Sequence, residues 1–145
     1  MSRKEGESAR CAVLAVPHGG LSEGIRGLLS TLFESVVLVA DEASLLACLA
    51  ALRPELLVLD VALVPGGAFE LVQRLRGRFQ ELRILLLVAD DEPALERLAT
   101  ASGADGCLLK RSLGSDLLEA VDVVQSGRTA FWSSGFRSAP ARNES

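Results

Sequence analysis

The 145-residue chain has a single histidine, His18, and three widely separated cysteines, Cys11, Cys48 and Cys107. That spacing suits neither a zinc site nor a Cys-x-x-Cys redox pair, and the odd count argues against a disulfide framework. The three thiols read as small buried hydrophobes of a reducing compartment. No apolar run is long enough to span a membrane. The first ten residues, MSRKEGESAR, are polar and lack the apolar core of a signal peptide, so a cytoplasmic location is expected. Basic excess is also missing. The net charge is −4 and the pI about 5.0, whereas nucleic-acid binding rests on neutralising phosphates with a basic face. The one local exception is RLRGRF, where Arg74, Arg76 and Arg78 make either a short basic patch or a solvated helix end. No acid–base pair, nucleophile triad or cofactor fingerprint stands out, so the chain is not expected to be an enzyme.

What is present is an ordinary globular balance, 49% apolar and 23% charged residues. That is enough for one domain burying about two-thirds of its unfolded surface. Short apolar runs alternate with amphipathic stretches five times. The strands are expected at Ala12–Val16, Val36–Ala40, Leu56–Leu59, Ile84–Val88 and Gly106–Leu109. Between them, apolar residues recur at helical spacing: Leu21, Ile25, Leu28, Leu29 and Leu32, then Leu45, Leu49 and Leu52, then Phe69, Val72, Leu75 and Phe79. Asp41 is placed to cap the second helix, and Pro54 follows its end. Asp91 and Pro93 open the fourth helix, and Gly103 closes it in a left-handed cap. Ser115 is expected to cap the fifth, whose face is Leu117, Leu118, Val121 and Val124 and which ends at Gly127. Residues 1–10 and 133–145 read as disordered tails around a domain spanning 11–132, with Trp132 either packing back on the body or starting a linker; no second domain is expected.

Alternation of this kind predicts an α/β fold with a parallel sheet covered on both faces. Right-handed crossovers favour a flavodoxin-like, doubly wound five-stranded sheet of order 2-1-3-4-5. Chemistry then sits at the carboxyl ends of the strands. After the first strand comes VPHGG. It lacks the Gly-Lys-Ser/Thr ending of a P-loop and the G-x-G-x-x-G of a dinucleotide site. Its glycines also suit a plain strand-to-helix turn. Asp60 ends the third strand as nucleophile, metal ligand or cap. Lys110 ends the fifth, where its ammonium can meet a bound anion as a point charge.

ELLVLDVALVPGGAFELVQRLR, RILLLVADDEPALERLATASGADGCLLK and SDLLEAVDVVQSGR together resemble the receiver domain of bacterial two-component response regulators. The likeness runs from about Arg10 to Trp132. GADGCLLK, with no proline after Lys110, is similar to the subfamily that carries a helix-turn-helix output domain. The resemblance implies that Asp60 is the phospho-acceptor. Lys110, fifty positions later, is the phosphate-pairing residue. It also exposes departures. The acidic pair that holds magnesium in the family is replaced by Pro17 and His18, and neither suits a cation that wants oxygen ligands. Asp90 and Asp91 match no metal position. The switch hydroxyl after the fourth strand is replaced by Val88, and the inward aromatic of the fifth by Cys107. His18 reads as a solvated loop residue, or alternatively as a donor to an anion near Asp60.

The reading that follows is an atypical receiver. It is not expected to need a cofactor, and Mg²⁺ binding is expected to be weak or absent. It would act through a protein output partner. A sensor histidine kinase and a homodimer through helix 4, strand 5 and helix 5 are further expected partners; nucleic acid and membrane are not. The alternatives are a conventionally phosphorylated receiver at Asp60 with weakened metal binding, and a flavodoxin-like binder of a flavin, nucleotide or other small ligand.

Overall fold

The computed structural model describes residues 10–17 and 22–132. The strands are β1 (Cys11–Ala15), β2 (Ser35–Val39), β3 (Leu56–Asp60), β4 (Arg83–Val88), β5 (Gly106–Leu109) and β6 (Ala130–Phe131). The helices are α1 (Ser22–Leu29), α2 (Glu42–Leu52), α3 (Ala68–Arg78), α4 (Pro93–Ser102) and α5 (Leu113–Gln125). Short 3₁₀ turns, Val61–Leu63 and Lys110–Ser112, follow β3 and β5 directly. All strand pairs are parallel, in the order β2-β1-β3-β4-β5-β6. The expected five-strand order is present, extended by one short strand.

Strand residues are apolar in unbroken runs because both faces of the sheet are covered. Alternate side chains divide between two cores. Val13, Leu57, Leu59, Ile84 and Leu86 pack with α2, α3 and α4 through Leu45, Leu49, Leu71, Leu75 and Ala99. Leu14, Val58, Leu85, Leu87 and Leu108 pack with α1 and α5 through Ile25, Leu29, Leu117 and Val121. Each fully buried leucine contributes about 1.5–3 kcal/mol, so this double layer holds β3 and β5, and hence their carboxyl ends, in fixed positions.

Punctuation follows the sequence at several ends. Asp41 caps α2, its side chain accepting from Ser44 N at 2.7 Å. Gly103 ends α4 with φ 100°. Other expectations are corrected. Ser112, not Ser115, precedes α5; the 3₁₀ turn runs straight into the helix, and the Ser115 hydroxyl donates to Ser112 O from inside it. Glu92, not Asp91, precedes α4. α1 stops at Leu29, so Leu32 lies in the turn beyond it, and Leu21 falls outside the described residues. Leu52 and Leu118, on faces that the periodicity predicts to be buried, are 47% and 36% exposed.

Candidate functional site at the carboxyl edge of the sheet

Asp60 and Lys110 meet. Both strands stop at the same edge, separated by β4, with Asp60 in register with Leu87 and Leu87 with Leu108. The Lys110 ammonium lies 2.8 Å from Asp60 Oδ2. The Asp60 side chain is 9% exposed and that of Lys110 27%. The other carboxylate oxygen, Oδ1, accepts from Ala62 N at 2.9 Å and so caps the 3₁₀ turn after β3. Both oxygens of this buried carboxylate are therefore satisfied, one by a cation and one by the backbone, as burial of a charge requires. Of the three roles open to this strand-end carboxylate, the geometry displays the cap, and the same carboxylate is also the ion-pair partner of Lys110.

The remaining positions are less convergent. Pro17 follows β1, half-buried, and brings no side-chain oxygen. His18 lies outside the described residues. Asp91 pairs with Arg111 at 2.9 Å, both side chains about 60% exposed, and Asp90 is exposed. Val88 and Cys107 are fully buried in the core facing α2, α3 and α4. Burial pushes the Cys107 thiol up to about 12, and the nearby Glu96 carboxylate adds to the effect. The Val88 side chain has no hydrogen-bond donor, and Cys107 is a neutral packing group.

A magnesium ion at Asp60 would take six oxygen ligands, usually one or two of them carboxylates and the rest waters and phosphate oxygens. Asp60 Oδ2 already faces an ammonium, and Oδ1 faces an amide. Among the described residues no group of three or more His, Cys, Asp or Glu side chains is arranged to hold a metal ion. Asp60 is the carboxylate such an ion would meet at this edge, and Pro17 adds no side-chain oxygen to it from the end of β1.

The basic stretch RLRGRF does not form a patch. Arg74 pairs with Glu42 at 3.4 Å, and the Arg78 guanidinium sits 5.2 Å from the centre of the Phe79 ring. Arg76 turns inward. It donates to Gly103 O, Gln80 O and Leu82 O and to Asp105 Oδ2 at 2.7 Å. Asp105 Oδ2 also accepts from Ile84 N. This clamp ties α3 to the start of β4 and to the α4–β5 turn, and spacing along the chain carries no sign of it. A cavity of about 670 Å³ lies beside it, lined by Arg53, Phe79 and Arg83 among others, at the amino-terminal end of the strands, away from Asp60.

A family model described as response regulator receiver domain matches residues 18–122. The DNA-binding transcriptional activator DevR/DosR of Mycobacterium tuberculosis is 38% identical over 89 residues, covering 60% of this chain and 40% of that protein. The transcriptional regulatory protein NarL of the same species is 32% identical over 131 residues, covering 88% of this chain and 60% of that protein. The chain thus spans between two-fifths and three-fifths of the length of these two relatives. Among solved structures, the signal receiver domain of the Mycobacterium tuberculosis response regulator NarL aligns with a TM-score of 0.72 and 30% identity, over 82% of this chain and 98% of that one. A LuxR-family two-component response regulator from Aurantimonas sp. SI85-9A1 aligns with a TM-score of 0.75 and 26% identity, over 85% of this chain and 89% of that one.

Proposed function

The chain belongs to the response regulator receiver domain family, and from that premise we propose that it is an atypical two-component receiver, acting by protein–protein contact with a degenerate phosphorylation site. The observation that carries this is the Asp60–Lys110 pair at 2.8 Å beside a β1 end that offers Pro17. Phosphorylating Asp60 would replace one negative charge by a dianion. Like charges 4 Å apart repel by roughly 4 kcal/mol at an intermediate dielectric. Lys110 offsets part of this. Pro17, at the end of β1, brings no side-chain oxygen to a neutralising divalent ion, and the Val88 side chain has no donor for a phosphoryl oxygen. The partners proposed are a protein output element and, where a kinase is involved, a sensor histidine kinase. With a net charge of −4 the chain by itself is not proposed to bind nucleic acid.

The intact Asp60–Lys110 geometry is also what a conventionally phosphorylated receiver needs. Intact-mass spectrometry after incubation with acetyl phosphate and Mg²⁺ separates the two readings, with Asp60→Ala as control. No phosphoryl adduct on the wild-type chain, even at high Mg²⁺, is the expected result. A labile adduct that disappears in Asp60→Ala would overturn the degenerate-site reading and make this a working receiver with a divergent pocket.

A further inference from the structure

The cavity at the amino-terminal end of the strands gathers basic groups from three elements. Arg53 follows the last turn of α2, Arg78 is the last residue of α3 and Arg83 the first of β4, and all three line the cavity. Arg53 and Arg78 stand over the same ring, their guanidinium carbons 5.6 Å and 5.2 Å from the centre of Phe79. Among the described residues neither has a carboxylate partner. Arg83 is held loosely, 4.0 Å from an Asp105 whose other oxygen serves Arg76. Two acidic residues share the lining. Glu55 is taken up by Arg10 and Gln125. Glu81 is exposed and pairs with no cation among the described residues. The carboxyl ends of α2 and α3 add about half a negative charge each. Against three guanidiniums the balance stays positive.

Arg53 is also the one non-glycine residue with a positive φ among the described residues, at 46°. A left-handed helix cap ordinarily carries glycine or asparagine. An arginine held there, at the wall of a cavity, is the kind of strained position that accompanies binding sites. We propose that this cavity binds a small organic phosphate with two or more negative charges, gripped by Arg53, Arg78 and Arg83. Its volume of about 670 Å³ falls within the roughly 300–1,000 Å³ of small-molecule sites and exceeds the needs of a lone phosphate. A guanidinium fork meets phosphate oxygens two at a time. Phe79 sets two of these forks in place beforehand, so less side-chain freedom is lost on binding. Buried Pro54, Phe79 and Leu82 give the carbon skeleton an apolar floor. The cavity lies at the opposite end of the strands from Asp60, so this inference is independent of whether Asp60 is phosphorylated.

The test titrates the full-length chain calorimetrically with ATP and with fructose 1,6-bisphosphate, free of divalent metal. Pyrophosphate and adenosine are the comparators. Binding of at least one organic phosphate at one site per chain is expected, with pyrophosphate several-fold weaker and adenosine silent. Arg53→Gly suits φ 46° and removes the guanidinium. It is expected to keep or raise the melting temperature while weakening binding about tenfold. Arg78→Gln, at an exposed helix end, is expected to weaken binding about as much with unchanged far-UV circular dichroism. Glu81→Gln removes a repelling carboxylate and is expected to tighten binding several-fold, a gain that a merely structural role would not produce. No binding of either organic phosphate would overturn the proposal, and pyrophosphate binding as tight as theirs would overturn the organic ligand. Undiminished binding in the Arg53→Gly/Arg78→Gln double variant would overturn the site, and its loss in Asp60→Ala instead would place the ligand at the other edge of the sheet.

Discussion

Asp60 Oδ2 and the Lys110 ammonium stand 2.8 Å apart, although they come from strands separated by β4. The lysine is the cation that lets the carboxylate remain buried. Lys110→Gln therefore leaves a charge at 9% exposure with only the Ala62 amide beside it. It is expected to cost about 1–3 kcal/mol, below the 3–5 kcal/mol of a fully buried pair because Lys110 reaches solvent. Asp60→Asn is expected to cost less. Urea unfolding of both variants and the double variant checks this; strict additivity would mean that the pair carries no coupling.

Arg76 is expected to be irreplaceable by lysine. Its guanidinium serves three carbonyls and the Asp105 carboxylate at once, a fork that an ammonium cannot reproduce. Arg76→Lys should lose most of the stability lost in Arg76→Ala, about 2–4 kcal/mol. Chemical denaturation midpoints, with hydrogen exchange on the α4–β5 turn, report it.

Glycine substitutions should split in sign. Gly77 lies inside α3, where an added β-carbon would meet nothing within 4 Å. Gly77→Ala is expected to raise stability by about 0.5–1 kcal/mol. Gly106→Ala drives a methyl into Ala130 O and Leu85 and is expected to lower it by about 1–3 kcal/mol. Thermal melts of the two variants side by side decide the matter.

Cys107 sets an alkaline limit. Its thiol is raised to about 12 by burial and then by Glu96, while an unfolded cysteine ionises near 8.5. Above the unfolded value the unfolded state releases a proton that the folded state keeps, so stability falls as pH rises, until the folded thiol itself ionises. Wild type should lose stability relative to Cys107→Ala across roughly pH 9 to 12, with a slope of up to about 1.4 kcal/mol per pH unit. Equal slopes in urea titrations at pH 8, 9 and 10 would contradict this assignment.

The features legible in the sequence are those governed by local chemistry. Asp41 and Gly103 announce helix ends because a cap and a positive φ each demand particular residue types. Asp60 and Lys110 are legible because parallel strands deliver their last residues to one edge. The start of α5 is harder to place because a 3₁₀ turn extends the helical path back past the polar residue; Leu113, four before Leu117 on the buried face, is the available signal. β6 has no periodicity to read, being two residues long, and Gly106 is its only local trace. The Arg76–Asp105 clamp joins residues 29 apart and exists only once α3 and the α4–β5 turn have met.

The strand order also shapes how the molecule can assemble during synthesis. β1 lies between β2 and β3, both of which are made after it. The earliest of these six strands to emerge is thus an apolar ribbon that waits for both neighbours, and it lacks one of them until the chain has reached Asp60. From then on β4, β5 and β6 each join beside the strand made just before, and the sheet lengthens in one direction only. The first half of the chain waits and the second half zips, so the interval before β3 emerges is when exposed β1 most needs shielding from other chains.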